Sequence, residues 1–353
     1  MTIDRLEIKN FLLFTGQKKV SFDIDNDSDG FESSFGNSFD TKFINGINVF
    51  IGENATGKST LLKCIYAACE FSNQKTVPGK ARKFPDYFSS SKKPLKEINQ
   101  TQESNDLGFI SVTSGGAEFH YRAWDSGITG LDDWLELGLK SILIPTAEML
   151  SHSNGLIAMS SKYGIPFDYT QIDILVNAQL WETKDISDRN KNLLEMIGSA
   201  IGGDVIYEDD TFYVQKTNGL KVEFSLEAEG YRKFGLLWKL IRNGLLESGS
   251  ILLWDEPEAS INPELMPLLV DILYILKNDG IQIFLATHNY MLAKYIDIKK
   301  QDEKDVLFIS LSKDEAGGIK AARSYDYSTL ENNPIEASEE NLYNAIVRKS
   351  LGD

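Results

Sequence analysis

The run Gly52-Glu53-Asn54-Ala55-Thr56-Gly57-Lys58-Ser59 fits the spacing GxxxxGK[ST] in full. Gly52 and Gly57 let the backbone curl until its N–H groups converge on one concavity, a cradle for phosphate oxygens. The match follows an apolar run, 47–51, and opens a segment, 58–70, whose Leu61, Leu62, Ile65 and Tyr66 share one helical face. A helix starting there adds the partial positive charge of its N-terminus. In that setting Lys58 reaches the β- and γ-phosphates of a nucleotide, and Ser59, with Thr60 beside it, ligates Mg²⁺. Residues 52–60 are therefore the candidate triphosphate contact.

Two further strand ends carry matching chemistry. Ile251-Leu252-Leu253-Trp254 is a buried-strand pattern ending in Asp255 and Glu256. Asp255 is placed to hold Mg²⁺ through its water shell, and Glu256 to orient or deprotonate an attacking water. Ile283-Phe284-Leu285-Ala286-Thr287 is another apolar run, and it delivers His288 at its end. Open α/β sheets bind ligands at the C-terminal ends of their strands, so His288 is expected to contact the γ-phosphate.

These groups need a sheet to bring them together. Ile3, Leu6 and Ile8, then Val20, Phe22 and Ile24, alternate as strands do. Residues 25–42 have loop composition, and Phe31, Phe35, Phe39 and Phe43 are expected to pin that loop to the core. Residues 72–105 form a polar insertion with Lys80, Arg82, Lys83, Lys92, Lys93 and Lys96, a solvated loop or a partner contact. Residues 107–113 and 117–124 predict a β-hairpin around Gly115-Gly116. Residues 130–200 read as a helical subdomain and 203–226 as a pair of strands. Helix and strand then alternate over 229–297, which implies a largely parallel sheet. No heptad run predicts a coiled coil.

Composition limits the job. With 353 residues, 42% hydrophobic and 25% charged, the chain can bury a substantial core. No apolar run approaches the roughly 18 residues of a membrane span, and the opening MTIDRLEIKNF lacks the order of a secretory signal. A cytoplasmic protein without a membrane segment is expected. The two cysteines, Cys64 and Cys69, lack partners for a metal site and are expected to be buried. A net charge of −16 opposes general coating of nucleic acid, though it leaves room for a local basic patch.

The order of P-loop, Asp-Glu-Pro and strand-Thr-His resembles the ABC-type ATPase head. More narrowly, the chain resembles stand-alone OLD-like ATPases of the AAA family from bacterial antiphage defence systems such as Septu, PARIS and Gabija. The resemblance rests on residues 144–150, on 228–233, and on 254–263, which reads Trp-Asp-Glu-Pro-Glu-Ala-Ser-Ile-Asn-Pro. It implies an α/β ABC-type P-loop NTPase fold with a mostly parallel sheet, an antiparallel β subdomain and a helical insertion. The whole chain, 1–353, would be one ATPase domain with its second lobe over 201–353. It further implies ATP and Mg²⁺ as ligands, a homodimer or higher oligomer with ATP at the interface, and a separate effector protein, a nuclease or toxin.

In such heads a Leu-Ser-Gly-Gly-Gln segment binds the γ-phosphate of the opposite subunit. Gly230 matches its second Gly, but Ala228 stands where the Ser would be. Arg232 or Lys233 would supply the missing charge in trans, or both are ordinary residues at a helix start. Asn262 falls at the D-loop and also suits an N-cap before Pro263. A Q-loop glutamine is sought in Gln100 or Gln102, and Phe14 is either an adenine platform or core packing. Two other readings stand beside this one: a DNA-repair clamp, kept alive by the basic insertion, and a transporter's nucleotide-binding subunit, disfavoured by the missing signature segment.

Overall fold

The computed structural model describes residues 1–14, 38–73, 82–88, 108–123, 125–156, 159, 167–314 and 318–351. The strands are β1 (Arg5–Lys9), β2 (Ser38–Lys42), β3 (Ile47–Gly52), β4 (Phe109–Ser114), β5 (Ala117–Arg122), β6 (Ile128–Thr129), β7 (Ser141–Ile144), β8 (Gly203–Glu208), β9 (Thr211–Lys216), β10 (Lys221–Glu223), β11 (Ile251–Asp255), β12 (Gln282–Thr287), β13 (Val306–Lys313) and β14 (Ile319–Ser324). The helices are α1 (Lys58–Phe71), α2 (Leu131–Leu137), α3 (Tyr169–Ala178), α4 (Asp188–Ile201), α5 (Glu229–Arg242), α6 (Met266–Asn278), α7 (Tyr290–Lys299) and α8 (Pro334–Leu351). None of the described helices is long and apolar enough to cross a membrane.

The central sheet has six strands in the order β14-β13-β3-β12-β11-β7, all parallel except the edge strand β14. Its strands are buried on both faces, which is why they read as continuous apolar runs. Val49, Ile51, Leu252, Trp254, Ile283 and Leu285 face one core, closed by α3, α4, α5 and α6. Phe50, Leu253, Phe284 and Ala286 face the other, where α1 packs together with the antiparallel sheet β2-β1-β4-β5-β6. A third small sheet, β10-β9-β8, is antiparallel. The mixed α/β architecture with a parallel sheet and an antiparallel β subdomain is thus as anticipated.

Several local expectations need correction. Residues 38–42 are not loop: β2 pairs antiparallel with β1, and Asp40 ion-pairs with Arg5. Phe39 and Phe43 do pin this stretch to the core, with Phe43 and Phe284 ring centroids 4.9 Å apart. Phe31, Phe35 and the strand expected around Val20, Phe22 and Ile24 lie outside the described residues. So do Lys80, Lys92, Lys93 and Lys96. Within the supposed insertion, residues 82–88 instead pack inward, with Phe84 and Tyr87 buried. The block 130–200 is not purely helical, because β7 joins the central sheet beside β11. Residues 203–226 form three strands, not two. Cys64 and Cys69 are fully buried, and burial pushes both thiols up.

Candidate nucleotide-binding and catalytic site

Parallel register sets the site. Ile51 lies opposite Thr287 and Ala286 opposite Asp255, so β3, β12 and β11 end together. The P-loop, His288 and the Asp255–Glu256 pair therefore emerge side by side on one sheet edge.

The P-loop curls as its glycines require. Gly57 has φ +94° and is the residue immediately before α1; a Cβ there would lie 2.7 Å from Cζ of Phe14. Phe14 is 1% exposed and packs against Phe39, so it supports the loop from below as core rather than offering an adenine platform. Lys58 Nζ donates to the carbonyls of Gly52 and Glu53, each at 2.8 Å, folding the ammonium back over its own loop. Burial lowers the Lys58 pKa, and the Glu256 and Asp255 carboxylates oppose that shift. Thr56 closes the turn with a 2.9 Å hydrogen bond to the Glu53 carbonyl.

Asp255 ends β11 with its carboxyl buried. Burial pushes its pKa up, while hydrogen bonds with Ser59 and Thr146 pull the other way. Its Oδ1 is buried without a hydrogen-bond partner. An orphaned carboxylate oxygen beside a P-loop serine fits a Mg²⁺ that completes its shell with phosphate and water oxygens. No cluster of three or more His, Cys, Asp or Glu that could hold a metal occurs among the described residues. Ser59 and Asp255 also line a cavity of about 290 Å³ with Lys63, Thr146, Asp168 and Gln171. Thr146 lies in the run 144–150 that carries the resemblance, but a helical reading of 130–200 gives it no site role; it follows the C-terminal end of β7, where such sheets bind ligands. Gln100 and Gln102 lie outside the described residues.

Glu256 sits at φ +49°, a region that non-glycine residues rarely adopt. Its N–H donates to the Ala286 carbonyl at 2.8 Å, and its own carbonyl accepts from Lys233 Nζ at 2.7 Å. Its Oε1 is 3.0 Å from Nδ1 of His288. Lys58, Ser59, Asp255, Glu256 and His288 thus share one edge.

The start of α5 is organised differently from the sequence expectation. Gly230 is packed so closely that a Cβ would lie 2.7 Å from the Ser260 carbonyl oxygen. Ala228 precedes the helix and makes no side-chain cap. Arg232 is not a free trans charge: its Nη1 pairs with Glu148 at 3.1 Å within the same chain. Lys233 is not one either, being 2% exposed and directed at its own Glu256. Each turned inward because a buried carboxylate or carbonyl lay within reach, a contact invisible in the linear chain. Asn262 caps the turn after it, its Oδ1 accepting from the Glu264 N–H at 3.1 Å.

A family model described as "AAA domain, putative AbiEii toxin, Type IV TA system" matches residues 148–293, a span that holds α5, β11 and β12 but not the P-loop. Among solved structures, the chain is similar to an SMC head bound to the C-winged helix domain of ScpA, at 13% identity and TM-score 0.48, covering 92% of this chain and 97% of that one. It is similar to the SMC head domain from Thermotoga maritima, at 13% identity and TM-score 0.47, covering 91% and 98%. An ATP-binding cassette of an ABC transporter in its ADP conformation is 12% identical, with TM-score 0.37 and coverage of 88% and 87%. No curated protein matches the chain. The sheet order and the run 52–59 between β3 and α1 together define a mixed α/β P-loop domain. Its 148–293 portion is AAA-like.

Proposed function

We propose that this protein binds ATP with Mg²⁺ and hydrolyses it, that two copies close around the nucleotide, and that the cycle controls a separate effector, a nuclease or toxin, in antiphage defence. One observation carries the ATPase part of this reading: five residues from three strand ends, Lys58, Ser59, Asp255, Glu256 and His288, meet on one edge with Glu256 and His288 already 3.0 Å apart. Closure of two copies and the separate effector rest on the resemblance carried by residues 144–150, 228–233 and 254–263.

On ATP binding, Lys58 exchanges the Gly52 and Glu53 carbonyls for the β- and γ-phosphates, while backbone N–H groups of 53–60 surround the phosphate oxygens. Ser59 and Asp255 would hold Mg²⁺, which would supply positive charge against those oxygens. Glu256 accepts a proton from water as the water oxygen attacks the γ-phosphorus. The bond to the β–γ bridging oxygen breaks, giving ADP and phosphate. His288 holds the Glu256 carboxylate and contacts the γ-phosphate.

The second half of each site would come from the other copy, through backbone N–H groups around Gly230. Arg232 would reach the phosphate only on leaving Glu148. Light scattering of Glu256→Gln protein with saturating Mg·ATP tests closure: a doubled mass supports it, and a monomer contradicts it. The DNA-clamp alternative draws no support from Arg82, whose guanidinium pairs with Asp173 at 2.6 Å and lies over the Tyr169 ring.

A further inference from the structure

Behind the catalytic edge lie two charged side chains to which the hydrolysis scheme gives no part. Lys233, at the start of the second turn of α5, is 2% exposed, and Glu258, three residues past Asp255, is 6% exposed. Burying an ammonium or a carboxylate is costly unless each finds partners. Lys233 has one hydrogen-bond acceptor, the Glu256 carbonyl, at 2.7 Å. Glu258 Oε1 accepts from the Thr287 hydroxyl at 2.6 Å, while its Oε2 is buried without a partner. Burial lowers the Lys233 pKa and raises that of Glu258; the Glu258 charge acts against the shift of Lys233.

Their targets are what matter. Glu256 is held at φ +49°, and the peptide groups on its two sides are fixed, one by the Ala286 carbonyl and the other by Lys233. A conformation of that kind persists only when its surroundings over-determine it. His288 is bracketed in the same way. Thr287 donates to Glu258 and accepts from the Asn289 N–H at 2.9 Å, so the residues on both sides of His288 are tied together.

We propose that Lys233 and Glu258 are positioning residues of the ATPase site: Lys233 locks the backbone of Glu256, Glu258 locks the Thr287–Asn289 turn, and the Glu256–His288 contact is thereby set before nucleotide arrives. The inference rests on Glu256 being the catalytic base, and it gives Lys233 a role within its own subunit in place of one across a dimer interface. Lys233 and Glu258 are engaged with the Glu256 carbonyl and the Thr287 hydroxyl, so in this scheme each acts on the chemical step and not on binding.

The test is steady-state hydrolysis with the full chain, paired with a direct titration of ATP binding in Mg²⁺. Lys233→Met keeps length and removes the donor. Its kcat is expected to fall about tenfold or more while KM and the ATP dissociation constant stay within about threefold. In a Glu256→Gln background the same substitution is expected to cost less than about threefold, because its target no longer works. Thr287→Val, which removes the hydroxyl held by Glu258, is expected to show the same split and settles the question if Lys233→Met folds poorly. Wild-type turnover in both variants overturns the inference, as does a loss confined to ATP binding or a full loss repeated in the Glu256→Gln background. Those results leave the ATPase reading intact. A wild-type protein that hydrolyses no ATP overturns both.

Discussion

Nδ1 of His288 lies 3.0 Å from Oε1 of Glu256, although the two residues are separated by a whole helix and belong to the ends of neighbouring parallel strands. That contact gives the proposed base a fixed direction. Glu256→Gln keeps the shape and removes the base, and kcat is expected to fall about 10²- to 10⁴-fold, the usual worth of a positioned general base. ATP affinity should be retained, since Lys58 and the P-loop are untouched. A parallel binding titration checks this.

Asp255 makes a second prediction with an unusual sign. Its carboxyl is pushed up by burial and has an orphaned oxygen, so without Mg²⁺ the charge at neutral pH is a burden on the fold. Asp255→Asn should raise the melting temperature of the metal-free protein while abolishing the stabilisation that Mg·ATP gives the wild type. Thermal melts with and without Mg·ATP read both effects.

The far end of α1 is pH-sensitive. Glu70 is pushed up to about 7, first by burial and then by the Asp173 charge, with Arg82 opposing. Between the ordinary carboxylate range and about pH 7 this carboxyl therefore keeps more of its proton in the folded chain than in the unfolded one. Its contribution to stability falls as pH rises through that window. Glu70→Gln should flatten this slope and make the protein more stable at pH 8, as measured by denaturant unfolding at several pH values.

Phe14 supports the P-loop from below. Phe14→Ala is expected to cost about 3–5 kcal/mol, the range for a fully buried phenylalanine, and to weaken ATP binding by loosening Gly57. Unfolding and nucleotide titration on the same sample separate the two consequences.

Much of this site was legible from residue types at fixed spacing. Gly52 to Ser59, Asp255–Glu256 and His288 each follow an apolar run, and parallel strands of similar length naturally end together. The strand at 141–144 is hidden within the helical reading of 130–200 because a short, fully buried strand has no alternation to distinguish it from helix, and the site role of Thr146 beyond it is hidden too. The intrachain partners of Arg232 and Lys233 are hidden in the sequence for another reason. The direction of the two side chains depends on Glu148 and on the Glu256 carbonyl, which are remote in sequence and approach only in the fold. The Asn262 cap, by contrast, is local and was readable from Asn-Pro alone.

The most direct test is phosphate release from Mg·ATP by wild-type, Lys58→Ala and Glu256→Gln proteins assayed together, with ATP binding measured on each. The account predicts full turnover by wild type, ATP binding with turnover lowered about 10²- to 10⁴-fold by Glu256→Gln, and neither binding nor turnover by Lys58→Ala. Wild-type turnover by Glu256→Gln would contradict it.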